Sequence, residues 1–286
     1  MSKINKSYAI GVDIGGTKIS AVLFDGVKVL ADYTLATPKD TLDHFIIMLN
    51  AVIEPLLDKA KQSKIKINGI GLGIPGMLDY EENKIILCPN APLLNNIKLC
   101  LILEDMLKLP IKMDHDSNCF LRAEMKLGAG KKAKNVFGIT IGTGIGAVWW
   151  INNQPYLGAH NGAGEIAWNV IDYKEGIKFE EAYHKLTQNN PAALAEEAYR
   201  GDILAEKSFQ EFGHYLGIAL ANVVNTIDPE LFIIGGAVVQ SSDLFLSKTK
   251  KSMREFIKSP SAKTIKIIKS KLNEKAGVIG AAMLFS

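Results

Sequence analysis

A carboxylate, Asp13, comes just before a short glycine-rich loop that separates two apolar runs, residues 8–12 and 19–24. Runs of this composition joined by such a loop predict a β-hairpin. The loop residues able to meet an anion are Gly15, Gly16, Thr17 and Lys18. Glycines let backbone N–H groups approach a phosphate closely, and Asp13 could face a Mg²⁺ ion that carries phosphates. An ordinary tight hairpin, in which these residues serve only the turn, explains the stretch equally well.

A second group of carboxylates follows a strand predicted over residues 111–113 and precedes a helix predicted over residues 119–127. Its residues are Asp114, His115, Asp116, Ser117 and Asn118. Open α/β sheets bind ligands where strands end and helices begin, so a carboxylate here is placed for chemistry. Asp116 also suits the N-cap of that helix, a role that Asp114 or Asn118 could fill instead.

The opening pattern of strand, glycine loop and strand occurs a second time. Residues 136–141 are apolar, residues 147–151 are apolar again, and the loop between them contains Gly142, Thr143 and Gly144. The repetition predicts two similar halves, each with one hairpin that faces phosphate.

Longer periodic segments predict the elements that position these loops. A helix capped at Asp40 or Thr41 runs to about residue 62, and a buried strand covers 67–74. A strand, a crossover helix and a further strand imply parallel pairing, hence an α/β fold. An amphipathic helix follows over 203–227, and strand 230–234 leads into the turn Gly235, Gly236 and Ala237.

Composition excludes several classes of protein. The chain has 286 residues, of which 48% are hydrophobic and 22% charged, as expected for two soluble globular domains. A net charge of +3 does not favour nucleic acid or a membrane surface, and no apolar segment is long enough to span a membrane. Cys88, Cys100 and Cys119 form no paired or metal-binding pattern, which indicates reduced thiols and a cytoplasmic protein.

In this order, the motifs resemble the ROK family of repressors, open reading frames and sugar kinases, within the actin/hexokinase superfamily. The matching residues are Asp13-Ile-Gly-Gly-Thr-Lys18, Gly73-Ile-Pro-Gly76, Pro89-Asn90, His115-Asp116-Ser-Asn118, Gly142-Thr-Gly-Ile-Gly146, Gly162-Ala-Gly-Glu165, Asp228-Pro229, Ile234-Gly-Gly236 and Gly277-Val-Ile-Gly-Ala281. The resemblance implies an α/β fold with two RNase H-like domains that flank a central active-site cleft. Residues 1–115 and 272–286 would form the N-terminal domain and residues 116–271 the C-terminal domain, with the last helix returning to the first domain.

The resemblance also implies a role for each matching residue. Asp116 would be the general base that accepts the proton of a sugar hydroxyl, and Asp13 would hold Mg²⁺, mostly through water. The residues that would bind ATP are Asp13, Gly15, Gly16, Thr17, Lys18, Gly142, Thr143, Gly144, Gly235, Gly236 and Ala237. The residues that would bind the sugar are Gly76, Asn90, His115, Asp116, Glu165, Trp168 and Glu181.

Three features depart from the family pattern. His115 stands where Asn is common, and Trp168 replaces the His of a Glu-x-Gly-His motif. Residues 172–179 replace a cysteine-rich segment that holds zinc in the family, so we expect no structural zinc. Trp168 could stack on a sugar face, although packing in the core is the interpretation that large aromatic residues favour.

These features favour an ATP- and Mg²⁺-dependent hexose kinase, most similar to glucokinases acting on O6. Fructokinase and N-acetylmannosamine kinase are alternatives within the same class. A transcriptional regulator is disfavoured because only seven residues precede Tyr8, and a non-catalytic sugar sensor because both Asp13 and Asp116 are retained. We expect a homodimer that binds a small sugar and neither nucleic acid nor membranes.

Overall fold

The computed structural model describes residues 7–285, so the outermost residues of the predicted N-terminal domain lie outside it. The strands are β1 Ala9–Ile14, β2 Lys18–Phe24, β3 Val29–Ala36, β4 Ile70–Ile74, β5 Met77–Asp79, β6 Lys84–Leu87, β7 Ile111–His115, β8 Val136–Ile141, β9 Ile145–Ile151, β10 Gln154–Pro155, β11 Val170–Asp172, β12 Ile177–Lys178, β13 Leu231–Gly235 and β14 Lys266–Lys269. The α-helices are α1 Leu42–Gln62, α2 Leu99–Leu107, α3 Asp116–Lys126, α4 Phe179–Thr187, α5 Pro191–Tyr199, α6 Ile203–Ile227, α7 Leu246–Phe256 and α8 Ala276–Ala282.

The chain divides into two compact units. Unit 1 comprises Met1–Gly128, Leu157–Gly162 and Lys275–Ser286, and unit 2 comprises Ala129–Tyr156 and Ala163–Glu274. The predicted boundary lay before Asp116, whereas helix α3 belongs to unit 1. The reason is close packing between α3 and α8, because a Cβ built on Gly280 would lie only 1.7 Å from the carbonyl oxygen of Cys119.

Unit 1 is built on a five-stranded sheet in the order β3-β2-β1-β4-β7. The first three strands are antiparallel neighbours, whereas β1, β4 and β7 run parallel. Helix α1 covers one face with its buried residues Phe45, Leu49, Val52, Ile53 and Leu56. Helix α8 lies directly on β4, where a Cβ on Gly71 would come within 1.9 Å of the carbonyl oxygen of Ala281. The last helix, α8, therefore packs within unit 1.

Unit 2 repeats the same strand order, β10-β9-β8-β13-β14. Strands β8 and β9 form the antiparallel hairpin, and β8, β13 and β14 run parallel. The long helix α6 buries one apolar face, which includes Phe209, Phe212, Leu216 and Leu220, against the core of this unit. The predicted repetition of one α/β design in both halves is confirmed, while the cleft that the resemblance implies stays a prediction.

Several predicted bounds needed correction. Helix α3 begins at Asp116 rather than at residue 119, because the backbone turns helical directly after His115. The buried strand predicted over residues 67–74 is shorter, because β4 covers only Ile70–Ile74, and β5 pairs antiparallel with β6. The turn at Gly235 is followed by a 3₁₀ segment, Ala237–Leu244, before α7, and the closing helix ends at Ala282.

Two further expectations concern cysteines and membranes. All three cysteines are buried free thiols. Burial raises the pKa of Cys88 to about 11, so this thiol stays protonated at neutral pH. Within residues 7–285, no helix combines the length and the apolar character needed to cross a lipid bilayer.

Candidate active site

Three parallel strands of unit 1 bring the predicted carboxylates to one edge of the sheet. Asp13 near the end of β1 pairs with Gly73 of β4, and Gly73 pairs with Asp114 of β7. His115 ends β7, and Asp116 begins α3 directly after it. The carboxyl edge of parallel strands is where open α/β sheets bind ligands, so the register assembles this group from three separate parts of the chain.

The Asp13 carboxylate lies between two glycines, Gly73 and Gly277. A Cβ on Gly277 would lie 3.1 Å from Asp13 Oδ2, and a Cβ on Gly73 would lie 3.4 Å from Asp13 Oδ1. Burial raises the pKa of Asp13 to about 7, with a smaller contribution in the same direction from the Asp116 carboxylate, and Lys18 opposes the change. A cation beside these carboxylates would relieve both effects.

The carboxylates of Asp13 and Asp116 suit Mg²⁺ better than a metal ion whose ligands all come from the protein. The described residues contain no group of three or more His, Cys, Asp or Glu side chains that could enclose a metal. Mg²⁺ commonly takes one or two protein carboxylates and completes its shell with water and substrate phosphates. Asp13, with Asp116 close by, matches that pattern.

Asp116 combines a fixed backbone position with a partly open side chain. Its Oδ1 atom accepts hydrogen bonds from the Ser117 amide at 2.6 Å and from Ser117 Oγ at 3.2 Å. His115 Nδ1 lies 3.1 Å from the same oxygen, and the Asp116 side chain is 35% exposed. The N-cap of α3 is His115, whose ring nitrogen accepts from the Ser117 amide at 3.3 Å. The capping role considered for Asp116, Asp114 or Asn118 therefore belongs to His115.

Asp114 has a structural role that the sequence did not reveal. Its Oδ1 atom accepts from the Tyr80 hydroxyl at 2.9 Å, from Asn118 Nδ2 at 2.7 Å and from the His115 amide at 2.8 Å. Arg122 on α3 donates to Oδ2. Burial and the Asp114 carboxylate raise the pKa of Tyr80 well above its ordinary value, which keeps its hydroxyl protonated as a donor. Asp114 thus joins the β5–β6 turn, the end of β7 and α3.

The first glycine loop closes as a tight turn between β1 and β2. The Gly15 amide donates to the carbonyl oxygen of Lys18 at 3.0 Å, and Thr37 Oγ1 donates to the carbonyl oxygen of Gly15 at 2.6 Å. Thr17 and Lys18 are exposed. A Cβ on Gly16 would lie 3.1 Å from that of Asn90, so this loop contacts a residue predicted to bind sugar.

Gly76 has a backbone role. Its φ is +105°, and a Cβ there would lie only 2.1 Å from the carbonyl oxygen of Leu87, so the position permits glycine alone. The residue lets the chain leave β4 and enter the β5–β6 ribbon, and a contact with sugar stays a prediction.

The second glycine loop and the predicted adenosine turn are neighbours in unit 2. Gly142 donates its amide to the carbonyl oxygen of Gly144 at 2.9 Å, which closes the loop between β8 and β9. Gly236 has a φ of +88°, and a Cβ there would lie 2.3 Å from the carbonyl oxygen of Ile141. The parallel pairing of Gly235 with Thr140 brings the two turns together at one edge of the sheet.

Helix α4 holds the second glycine loop through two side chains that the sequence did not single out. Glu180 Oε1 accepts from the Ile145 amide at 2.7 Å, and the Tyr183 hydroxyl donates to the carbonyl oxygen of Gly142 at 2.6 Å. Glu180 is half-buried, whereas the neighbouring Glu181 is exposed. The sequence shows only two adjacent glutamates at the start of a predicted helix. The rotation of α4 about its axis decides that Glu180, and not Glu181, bonds the loop.

Trp168 does not pack in the core. Its side chain is 60% exposed, so the core-packing interpretation was wrong. Lys178 Nζ lies 4.4 Å from the centroid of the indole ring, and Glu165, which precedes the same 3₁₀ turn, is also exposed. In the same turn Ile166 and Ala167 are buried, so the indole is the side chain that faces solvent.

A hydrogen-bonded ribbon occupies the segment that carries zinc ligands in the family pattern. Strands β11 and β12 pair antiparallel, and Asp172 Oδ1 accepts from the Lys174 amide at 2.9 Å and the Glu175 amide at 3.3 Å. The amide of Phe179 then donates to the carbonyl oxygen of Asn169 at 2.9 Å, which fixes the start of α4. These bonds order the segment by turn chemistry.

Comparison with known proteins gives one family. The ROK family model matches residues 9–286. A xylose repressor of Bacillus subtilis is 27% identical over 97% of this chain and 76% of that protein. An N-acetyl-D-glucosamine kinase of Mannheimia succiniciproducens is 28% identical over 96% of this chain and 98% of that protein.

A solved structure agrees with the fold along nearly the whole chain. It is a ROK family glucokinase from Streptomyces griseus in complex with glucose and AMPPNP. The TM-score is 0.81 at 25% identity, covering 98% of this chain and 99% of that one. The mixed α/β fold of actin/hexokinase type is thus confirmed.

Proposed function

The chain belongs to the ROK family, and we propose that it is an ATP-dependent sugar kinase that transfers the γ-phosphate to a hexose hydroxyl. The observation that carries this proposal is the placement of Asp13 and Asp116 at one sheet edge beside the first glycine loop. Similarity to a glucokinase that binds glucose and AMPPNP supports ATP as donor and glucose O6 as the first acceptor to test. Fructose and N-acetylmannosamine are the alternative acceptors.

Asp116 would act as the general base. The Ser117 amide and hydroxyl both meet Oδ1, which fixes the carboxylate, and the side chain remains 35% exposed toward an incoming hydroxyl. A base held in hydrogen-bond reach of the attacking hydroxyl typically contributes about 10²–10⁴-fold to the rate. His115 Nδ1 lies 3.1 Å from the same carboxylate oxygen, and this side chain would bond a second sugar hydroxyl.

The glycine loops would bind the phosphates of ATP. In unit 1, Gly15 to Lys18 offer backbone amides and the Lys18 ammonium, and in unit 2, Gly142 to Gly144 offer a second turn. Gly235, Gly236 and Ala237 would border the adenosine. Asp13 would hold Mg²⁺, which, when bound, neutralises phosphate charge. Asn90, Glu165, Glu181, Gly76 and Trp168 would line the sugar side.

A sugar-binding regulator is the second candidate, because a xylose repressor is among the relatives. A regulator that lacks catalysis would bind sugar and release no ADP. We also propose a cytoplasmic homodimer, which light scattering after size exclusion would test for subunit number.

The deciding experiment is a coupled ADP-release assay with Mg²⁺-ATP and glucose, mannose, fructose, N-acetylglucosamine or N-acetylmannosamine. We expect turnover on at least one sugar, and a kcat lower by about 10²–10⁴-fold for Asp116→Asn, with sugar affinity retained in calorimetry. Asp58→Asn, an exposed change on α1, is the matched control. Sugar binding without ADP release in the wild type would contradict the kinase proposal and favour the regulator.

A further inference from the structure

Helix α4 joins two parts of unit 2 that the family resemblance treats separately. Its first residue is bonded to the segment that follows Glu165 and Trp168, through the 2.9 Å bond from the Phe179 amide to the carbonyl oxygen of Asn169. One turn of the same helix supplies Glu180 and Tyr183, which bond the second glycine loop. The helix therefore contacts the predicted sugar side and the predicted phosphate side at once.

The contact between Glu180 and the loop is close. Glu180 Oε1 accepts from the Ile145 amide at 2.7 Å, and a Cβ on Gly144 would lie only 2.5 Å from that oxygen. Tyr183 is buried, and its hydroxyl donates to the carbonyl oxygen of Gly142 at 2.6 Å. The two bonds hold the first residue of the loop and the residue just after it, while the tip between them at Thr143 is left without a bond from α4.

Buried aromatic packing makes α4 a rigid support for these bonds. Phe179 and Phe212 of α6 stack with ring centroids 6.2 Å apart, and the ring of Tyr183 lies 5.0 Å from that of Phe212. Burial, together with the Glu180 carboxylate, raises the pKa of Tyr183 well above its ordinary value, so the hydroxyl stays a donor at neutral pH.

We propose that Glu180 and Tyr183 are positioning residues for the second phosphate loop, and that α4 couples nucleotide binding in this loop to sugar binding by the segment 165–169. This inference rests on the proposed kinase function. Glu180 acts through its acceptor oxygen rather than its charge, because a carboxylate charge beside bound phosphates would oppose them. A Gln at this position keeps an acceptor oxygen and removes the charge, whereas Ala removes both.

The experiment compares Glu180→Ala, Glu180→Gln and Tyr183→Phe with the wild type. Calorimetry would measure the affinity for Mg²⁺-AMPPNP with and without the sugar that the panel assay identifies, or glucose if none is turned over. We expect Glu180→Ala to weaken AMPPNP binding about tenfold and Glu180→Gln to restore most of it, since one hydrogen bond to a charged group is at stake. The ratio of the AMPPNP affinity with sugar to the affinity without sugar should fall toward one in Glu180→Ala.

Glu197→Ala on α5, an exposed change outside this helix, is the matched control. Tyr183→Phe removes only one hydroxyl and keeps the inference testable if Glu180→Ala fails to fold. Equal AMPPNP affinity in Glu180→Ala, Tyr183→Phe and the wild type would overturn the inference. Wild-type protein that binds AMPPNP but turns over no sugar would contradict the kinase proposal instead, and the affinities of the variants would still decide the role of α4.

Discussion

Arg122 of α3 donates a hydrogen bond to Asp114 Oδ2, at the strand end that leads directly into Asp116. Both side chains are largely buried, with 19% of Arg122 and 8% of Asp114 exposed. Removing one partner of a buried pair leaves an uncompensated charge, so we expect Asp114→Asn to lower the free energy of unfolding by about 3 kcal/mol. Urea denaturation of the two proteins measures this difference.

An exposed pair of the same kind provides the control. Lys108 Nζ and Asp105 Oδ1 lie 2.8 Å apart, with 76% and 88% of their side chains exposed. Asp105→Asn should leave the denaturation midpoint almost unchanged, because water screens such pairs. Equal losses of stability in the two variants would mean that burial does not strengthen the pair of Asp114 and Arg122.

Exposure of Trp168 gives a second prediction. Trp168→Ala should cost about 1 kcal/mol or less, because the side chain loses chiefly its contact with Lys178. Trp150→Ala is the comparison, since Trp150 is only 1% exposed and its removal should cost about 3–5 kcal/mol. Thermal or urea unfolding of both variants measures the two losses of stability. A loss in Trp168→Ala as large as that in Trp150→Ala would mean that Trp168 packs in the core.

The sequence predicted elements better than it predicted side-chain surroundings. Helix α6 has the predicted bounds, because its apolar stripe lies between an N-cap at Asp202 and the Asp228-Pro229 stop. The paired hairpins were likewise predictable from their repeated glycine loops. These features are local, and each is set by a few adjacent residues.

Features that depend on distant parts of the chain could not be predicted in this way. Tyr80 and Arg122 donate hydrogen bonds to Asp114, and no local sequence pattern connects these two residues with it. Glu180 and Glu181 are adjacent, and the packing of α4 on α6 decides that Glu180 meets the loop. The exposure of Trp168 depends likewise on how its turn packs against the rest of the unit, which its neighbours in sequence do not determine.

The raised pKa of Asp13 predicts how stability depends on pH in a buffer with EDTA. The folded-state pKa is about 7, against an ordinary value of 3.8, so the folded protein binds this proton more tightly than the unfolded chain does. The resulting stabilisation is complete at the acid end of this window and is lost as pH rises from about 4 through about 7. We expect the free energy of unfolding to fall over that range.

Asp13→Asn tests the assignment, because an amide does not titrate. The variant should show a flatter dependence of unfolding free energy between about pH 4 and pH 7, measured by urea denaturation at each pH. An unchanged slope would mean that another group produces the effect. Added Mg²⁺ should stabilise the wild type more than the variant at the upper end of the window, since the variant lacks the Asp13 carboxylate.

The variant Gly142→Ala tests whether the second glycine loop binds phosphate or only reverses the direction of the chain. A Cβ at this position meets no protein atom within 4 Å, and its φ is not positive, so Ala fits the fold. Gly142→Ala should therefore leave the free energy of unfolding within about 0.5 kcal/mol of the wild type. If the open space beside Gly142 holds ATP phosphates, the same methyl group should raise the KM for ATP several-fold while the KM for sugar stays near its wild-type value.

Gly236→Ala provides the contrast, because a Cβ there would lie 2.3 Å from the carbonyl oxygen of Ile141 and should destabilise the fold itself. Unchanged KM for ATP in a stable Gly142→Ala protein would remove this loop from the phosphate site.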